Sequence, residues 1–146
     1  QKPLGTIYDN QQYGIYGFLN AVPSGAWKAV PVASHDQVHL GAASILCTVD
    51  DKGVQAYDVE ITRLYPQSHS ASKGIVLKVV DEELLAKTGG IVQGMSGSPI
   101  IQDSKIIGAV THVFLNDPER GYGIFMDSML SEMTDLNATP KKVSTN

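Results

Sequence analysis

A single cysteine, Cys47, among 146 residues leaves no partner for an internal disulfide, and no paired Cys or Cys/His spacing points to structural zinc. Cysteine usage therefore does not fix the compartment. Basic residues are also scarce: eleven Lys and Arg face fifteen Asp and Glu, a formal charge of -4. Counterion release offers little driving force for such a chain, so no nucleic-acid partner is expected. Long apolar runs are missing as well, and the longest fall far short of the roughly 20 residues a spanning helix needs. With 42% hydrophobic and 18% charged residues the composition is that of a globular protein, and the length holds one compact domain. The first residue is Gln1, and no basic or apolar leader precedes the fold, which reads as a mature, processed or trimmed piece.

What is present is a series of short β-branched and aromatic segments punctuated by Gly, Pro, Ser and Asp, the pattern of an all-β domain. The expected strands are residues 14–19, 27–33, 43–49, 54–64, 74–80, 99–102, 106–114 and 121–126. Asp50-Asp51-Lys52-Gly53 and Asp103-Ser104-Lys105 read as tight hairpin turns. Alternation through Val54-Gln55-Ala56-Tyr57-Asp58-Val59-Glu60-Ile61-Thr62 puts one face on a core and one in water, which argues for antiparallel sheet. Two segments read as helix. Asp81 can cap Glu82 to Lys87, acids first and Lys last, with Thr88-Gly89-Gly90 as the stop; the second runs from Asp127 to about Leu136. Residues 137–146 lack an apolar pattern and read as a flexible tail, so residues 1–136 form the domain.

The chemistry concentrates in Gly94-Met95-Ser96-Gly97-Ser98-Pro99, between a Gly-rich loop and an apolar strand. A serine flanked by glycines can sit on a tight turn with its hydroxyl exposed and nearby N–H groups aimed at one point. Donors so placed stabilise the oxyanion of acyl transfer, each worth about 10²–10³ in rate. Ser96 is then the nucleophile and the Gly94 and Ser96 N–H groups form the oxyanion hole, although a plain Gly/Ser turn has the same local chemistry. The α/β-hydrolase elbow would need glycine at Ser98 and a following helix. The motif instead resembles Gly-x-Ser-Gly-Gly/Ser-Pro of chymotrypsin-like serine proteases. On that reading the strand through Thr111, His112 and Val113 offers backbone groups to an extended peptide substrate. The His112 side chain taken alone reads as structural.

At greater length the likeness becomes specific. Residues 89–101, continuing through Gly108-Ala109-Val110-Thr111-His112-Val113-Phe114 and Asn116-Asp117-Pro118 to Gly121-Tyr122-Gly123, resemble the SpoIVB serine peptidase family of endospore-forming bacteria. The likeness reaches back through residues 57–61, 73–78 and 13–17, covering the chain to about Leu130. The resemblance implies an antiparallel chymotrypsin-like barrel with a short C-terminal helix and no cofactor or metal. It further implies a peptidase that leaves the forespore for the space between two membranes and cleaves itself. Its other substrate would be a regulator of a membrane-embedded protease, whose release activates the mother-cell sigma factor. The family's catalytic serine falls on Ser96 and its acid on Asp81, where the roles of acid and helix cap compete for the same oxygens. Asp117 and Asp127 are weaker alternatives.

Two departures stand out. The family carries a membrane anchor and a PDZ domain, and neither is seen here. Its general base is a His following Gly in a motif upstream of the segment matched by residues 13–17, whereas none of His35, His39, His69 or His112 follows a glycine. The chain is therefore expected to be a fragment whose partner is the absent N-terminal part, inactive alone, and either self-associating, with strand exchange as one route, or left with a collapsed site in which Ser96 lacks an imidazole partner. Two other readings compete. One is a protease-like module that binds peptides without cutting them. The other is a zinc peptidase using His35 and His39, whose i, i+4 spacing with Asp36 between imitates H-E-x-x-H.

Overall fold

The computed structural model describes residues 2–22, 24–25, 28–66 and 71–133. Its elements, in chain order, are β1 (Gly5–Gln11), β2 (Gly14–Leu19), β3 (Gly41–Cys47), β4 (Gln55–Leu64), β5 (Ile75–Val79), α1 (Glu82–Thr88), β6 (Pro99–Gln102), β7 (Lys105–Phe114), β8 (Asp117–Phe125) and α2 (Met126–Ser131). Single 3₁₀ turns occupy His35–Gln37 and Ala71–Lys73.

Period-two alternation sets the architecture. Tyr57, Val59 and Ile61 of β4 are buried, as are Ile75, Leu77 and Val79 of β5 and Ala43, Ile45 and Cys47 of β3. These faces turn inward, and six strands close into an antiparallel barrel in the order β3-β4-β5-β8-β7-β6. The closure pairs Ser44 with Ile101 and Ile45 with Ile100, so the barrel leaves no open sheet edge along its core. Asp50 shapes the β3–β4 turn by accepting the Lys52 N–H at 2.9 Å. Asp103 and Ser104 carry the β6–β7 turn with φ of 50° and 61°, as a primed hairpin turn demands. The all-β, barrel-forming reading of the sequence thus matches the fold.

Helix α1 begins and ends as its sequence dictates. Asp81 Oδ1 accepts the Leu84 N–H at 2.9 Å, and Gly89, at φ 71°, closes the helix by donating to Leu85 O. Fully buried Leu84 docks the helix on the barrel core. Lys87 bridges Asp50 and Glu83, tying α1 to the β3–β4 turn.

Several expectations need correction. Residues 28–31 form no strand, and the segment makes a single parallel bridge, Val32 to Ile106. Pro31, without an N–H, cannot extend a ladder there; Trp27 lies outside the described residues. The last strand starts at Asp117 rather than 121, with an irregularity in its pairing between Val113 and Phe114 that absorbs the extra residues. Helix α2 spans Met126–Ser131, shorter than residues 127–136, and the expected tail lies outside the described residues. Strand β1 was not anticipated. It pairs with β2 as a separate hairpin that exposes Ile7, Ile15 and Leu19. Tyr16, buried beneath it, donates its hydroxyl hydrogen bond to Met129 O at 2.8 Å and fastens the hairpin to α2.

Candidate active site

Two consecutive turns build the segment around Ser96. Met95 N–H donates to Val92 O at 3.1 Å and Ser98 N–H to Met95 O at 3.0 Å, so Gly94 and Gly97 each stand third in a four-residue turn. Their φ values, 101° and 88°, lie in the region that type II turns require at this position and that a side chain resists. Burial fixes the orientation: Met95 and Ser98 point inward and Ser96 outward. The turn is then stapled to β7 by Gly97 N–H to Val110 O at 2.7 Å and Val110 N–H to Ser98 O at 2.9 Å. Of the N–H groups from 94 to 98, those of Met95, Gly97 and Ser98 are engaged. Those of Gly94 and Ser96 have no acceptor among the described residues. Ser96 and Gly97 line the groove described below, whereas Gly94 lines a neighbouring recess with Gln93, Met95 and Ser98.

Ser96 Oγ donates to Thr111 O at 3.1 Å. The hydroxyl opens on a groove of about 470 Å³ whose walls include Ala109, Val110, Thr111 and His112 on the barrel side. Opposite them stand residues 10–15 at the tip of the hairpin, together with Ser72 and Met129. Those hairpin residues and Ser72 were not singled out from sequence. Their place beside Ser96 depends on the Tyr16–Met129 tether and on Thr111 Oγ1 donating to Ser72 O at 2.5 Å, which no local pattern encodes. Strand β6 begins at Pro99 opposite Ala109, whereas β7 runs on to Phe114 with β8 alone beside it. Thr111, His112 and Val113 therefore lie beyond the start of β6, and His112 and Val113 are exposed.

None of the candidate acids lines the Ser96 groove. Asp81 uses Oδ1 as the α1 cap and Oδ2 to accept the Asp58 N–H at 3.1 Å, and it does not line the Ser96 groove. The Leu84 N–H is the main cause holding its carboxyl below the ordinary carboxylate range. The stability it lends is accordingly present above the unfolded value of about 3.9 and lost as pH falls through the lower folded value. Protection of the Leu84 amide from hydrogen exchange should weaken in that acidic window. Asp117 accepts from Arg120 Nε at 2.8 Å. Asp127 Oδ2 accepts both the backbone N–H of His35 and, at 2.8 Å, its ring Nδ1.

The zinc-like spacing of His35 and His39 is not realised. A full helical turn would be needed to align them, yet the 3₁₀ turn ends at Gln37 and His39 lies beyond it. His35 faces Asp127, while His39 Nε2 pairs with Asp103 at 2.7 Å and its Nδ1 with Leu40 O. No group of three or more His, Cys, Asp or Glu that could hold a metal occurs among the described residues. No imidazole nitrogen hydrogen-bonds Ser96 Oγ among the described residues; His69 lies outside them.

The barrel order defines a chymotrypsin-like fold, with the Ser96 turn at the head of β6. The fold is similar to the crystal structure of the active form of the Rv3671c protease from M. tuberculosis, with a TM-score of 0.64 at 17% identity over 92% of this chain. The match spans 59% of that protein's chain. Residues 1–130 match the SpoIVB peptidase S55 family, and the chain belongs to it. A comparison with curated proteins gives no match.

Proposed function

We propose that this chain carries the nucleophile and oxyanion hole of a serine endopeptidase. The observation that carries the reading is the exposed Ser96 hydroxyl, presented to an open groove by a glycine-flanked double turn on which the Gly94 and Ser96 N–H groups have no acceptor among the described residues. An extended peptide adds to β7 along Thr111, His112 and Val113, which brings a carbonyl to Ser96. Ser96 Oγ attacks that carbon, and the C=O electron pair moves to the oxygen between the two N–H donors. The seryl proton must leave as the bond forms. Thr111 O accepts a hydrogen bond but is no base, and no imidazole nitrogen hydrogen-bonds Ser96 Oγ among the described residues, so on this reading an imidazole is supplied from elsewhere.

The family resemblance supports an upstream Gly-His segment as the source of that base. The exposed Ile7, Ile15 and Leu19 of the hairpin support a further part of the protein packing on this face. The same resemblance supports the wider role: secretion from the forespore, self-cleavage, and cleavage of the regulator of a membrane-embedded protease during sporulation. The chain by itself then acts as a peptide-binding module, since its serine hydroxyl is held by a carbonyl.

The test compares peptide hydrolysis by this chain with hydrolysis by the longer encoded protein that includes the Gly-His segment. The longer form should cleave and this chain should not. Inhibitor-sensitive cleavage by this chain alone would overturn the assignment of the base to an upstream segment.

Asp81 is open to a separate test on the longer form. The resemblance assigns it the acid of the catalytic set, although its oxygens already hold two backbone N–H groups. Asp81→Ala should cost about 1 kcal/mol through the lost cap. Asp81→Asn retains the Leu84 cap but turns an amide toward Asp58, a smaller loss. A severe fall in kcat for Asn without a matching fall in stability marks the acid role, and near-normal turnover marks the cap alone.

A further inference from the structure

His112 lines not only the Ser96 groove but also a second recess of about 550 Å³, which Val113 borders as well. Four side chains of this recess form one stack. The Phe114 and Tyr122 rings lie 4.7 Å apart between centroids, Lys73 Nζ sits 5.2 Å from the Tyr122 centroid, and Arg120 Cζ sits 5.0 Å from that of Phe114. Each cation is thus held against an aromatic face at one end of the stack. The two ends differ in charge balance. Arg120 is paired through its Nε with Asp117, whereas no carboxylate lies within ion-pair distance of Lys73 among the described residues. Among the described residues, then, the recess is lined by two cations, Lys73 and Arg120, and one carboxylate, Asp117, which pairs with Arg120 and leaves Lys73 without an ion-pair partner.

We propose that this recess is a specificity subsite for a carboxylate-bearing side chain of the bound peptide, with Lys73 as the recognising cation and the Phe114–Tyr122 pair as its apolar floor. The inference rests on the reading that peptides add along β7, because that edge carries His112 and Val113 from one recess to the other. A peptide lying on it places successive side chains alternately, so one of them falls over the recess while the scissile carbonyl lies at Ser96. Positive charge in a partly enclosed, aromatic-walled recess favours an acidic side chain over its neutral isostere, and salt weakens the preference.

The experiment is an array of extended peptides with each position scanned through Glu, Gln, Leu and Lys, probed with the purified chain at low and high salt. Glu should exceed Gln by about threefold to tenfold at a single position, less so at high salt. The preference should vanish in Lys73→Gln and shift toward Lys in Lys73→Glu, a reversal that mere loss of folding cannot produce. Peptide binding that favours Leu at that position, or a Glu preference that survives Lys73→Glu, would overturn the subsite and leave strand addition standing. Absence of binding by every peptide would overturn both.

Discussion

Ser96→Ala is expected to reduce kcat/KM of the longer, base-containing protein by about 10⁴-fold or more while leaving this chain's thermal midpoint nearly unchanged. The two parts follow from different features. The hydroxyl is exposed and contributes one hydrogen bond, to Thr111 O, so its removal should alter stability within about 0.5 kcal/mol. The turn itself is held by Met95, Ser98 and the staples to Val110, all of which survive. Chemistry, in contrast, has no substitute nucleophile on this turn, because Ser98 is buried. Steady-state kinetics and a melting curve on the same variant separate the effects. Wild-type rates of self-processing and substrate cleavage would end the nucleophile assignment.

The second large effect concerns stability. Gly90 sits at φ 131° where a Cβ would come within 2.2 Å of Pro118 O and 2.8 Å of Glu119 N, all backbone atoms that cannot step aside. The close approach serves a purpose: Ile91 N–H donates to Pro118 O at 2.7 Å, and buried Ile91 leads the chain into the serine turn. Gly90→Ala should therefore force the loop away from β8, break that hydrogen bond and cost about 2–4 kcal/mol, read from chemical denaturation. A matched Gly89→Ala change has open space around its Cβ and meets only the left-handed backbone penalty, about 1 kcal/mol. Equal losses in the two variants would mean that the packing of Gly90 against Pro118 is not what holds the loop.

The features legible in the sequence are those decided locally. Glycines directly on either side of the Met95–Ser96 pair signal a tight turn, Asp81 followed by two acids signals a helix start, and alternation in residues 54–62 signals a half-buried strand. Each needs only neighbouring residues, and each matches the fold. The strand Gly5–Gln11 was invisible because its hairpin buries no continuous face and so shows no alternation. Residues 28–33 misled in the opposite sense: apolar content is there, but pairing is limited to one parallel bridge to Ile106, because Pro31 has no N–H to donate to a further rung. The spacing of His35 and His39 misled because helical periodicity was assumed for a segment that completes only one 3₁₀ turn. The groove opposite Ser96 and the Lys73–Tyr122–Phe114–Arg120 stack arise from contacts between distant segments, and spacing along the chain carries no trace of them.

Labelling with a fluorophosphonate addresses the central claim directly, because the reagent reports an activated serine and an oxyanion site in one covalent event. The longer protein containing the Gly-His segment would be treated, digested and mapped by mass spectrometry. A single adduct is expected, on the peptide that carries Ser96, and none in Ser96→Ala. An adduct on another residue, or full peptide cleavage with Ser96 unmodified, would contradict the claim.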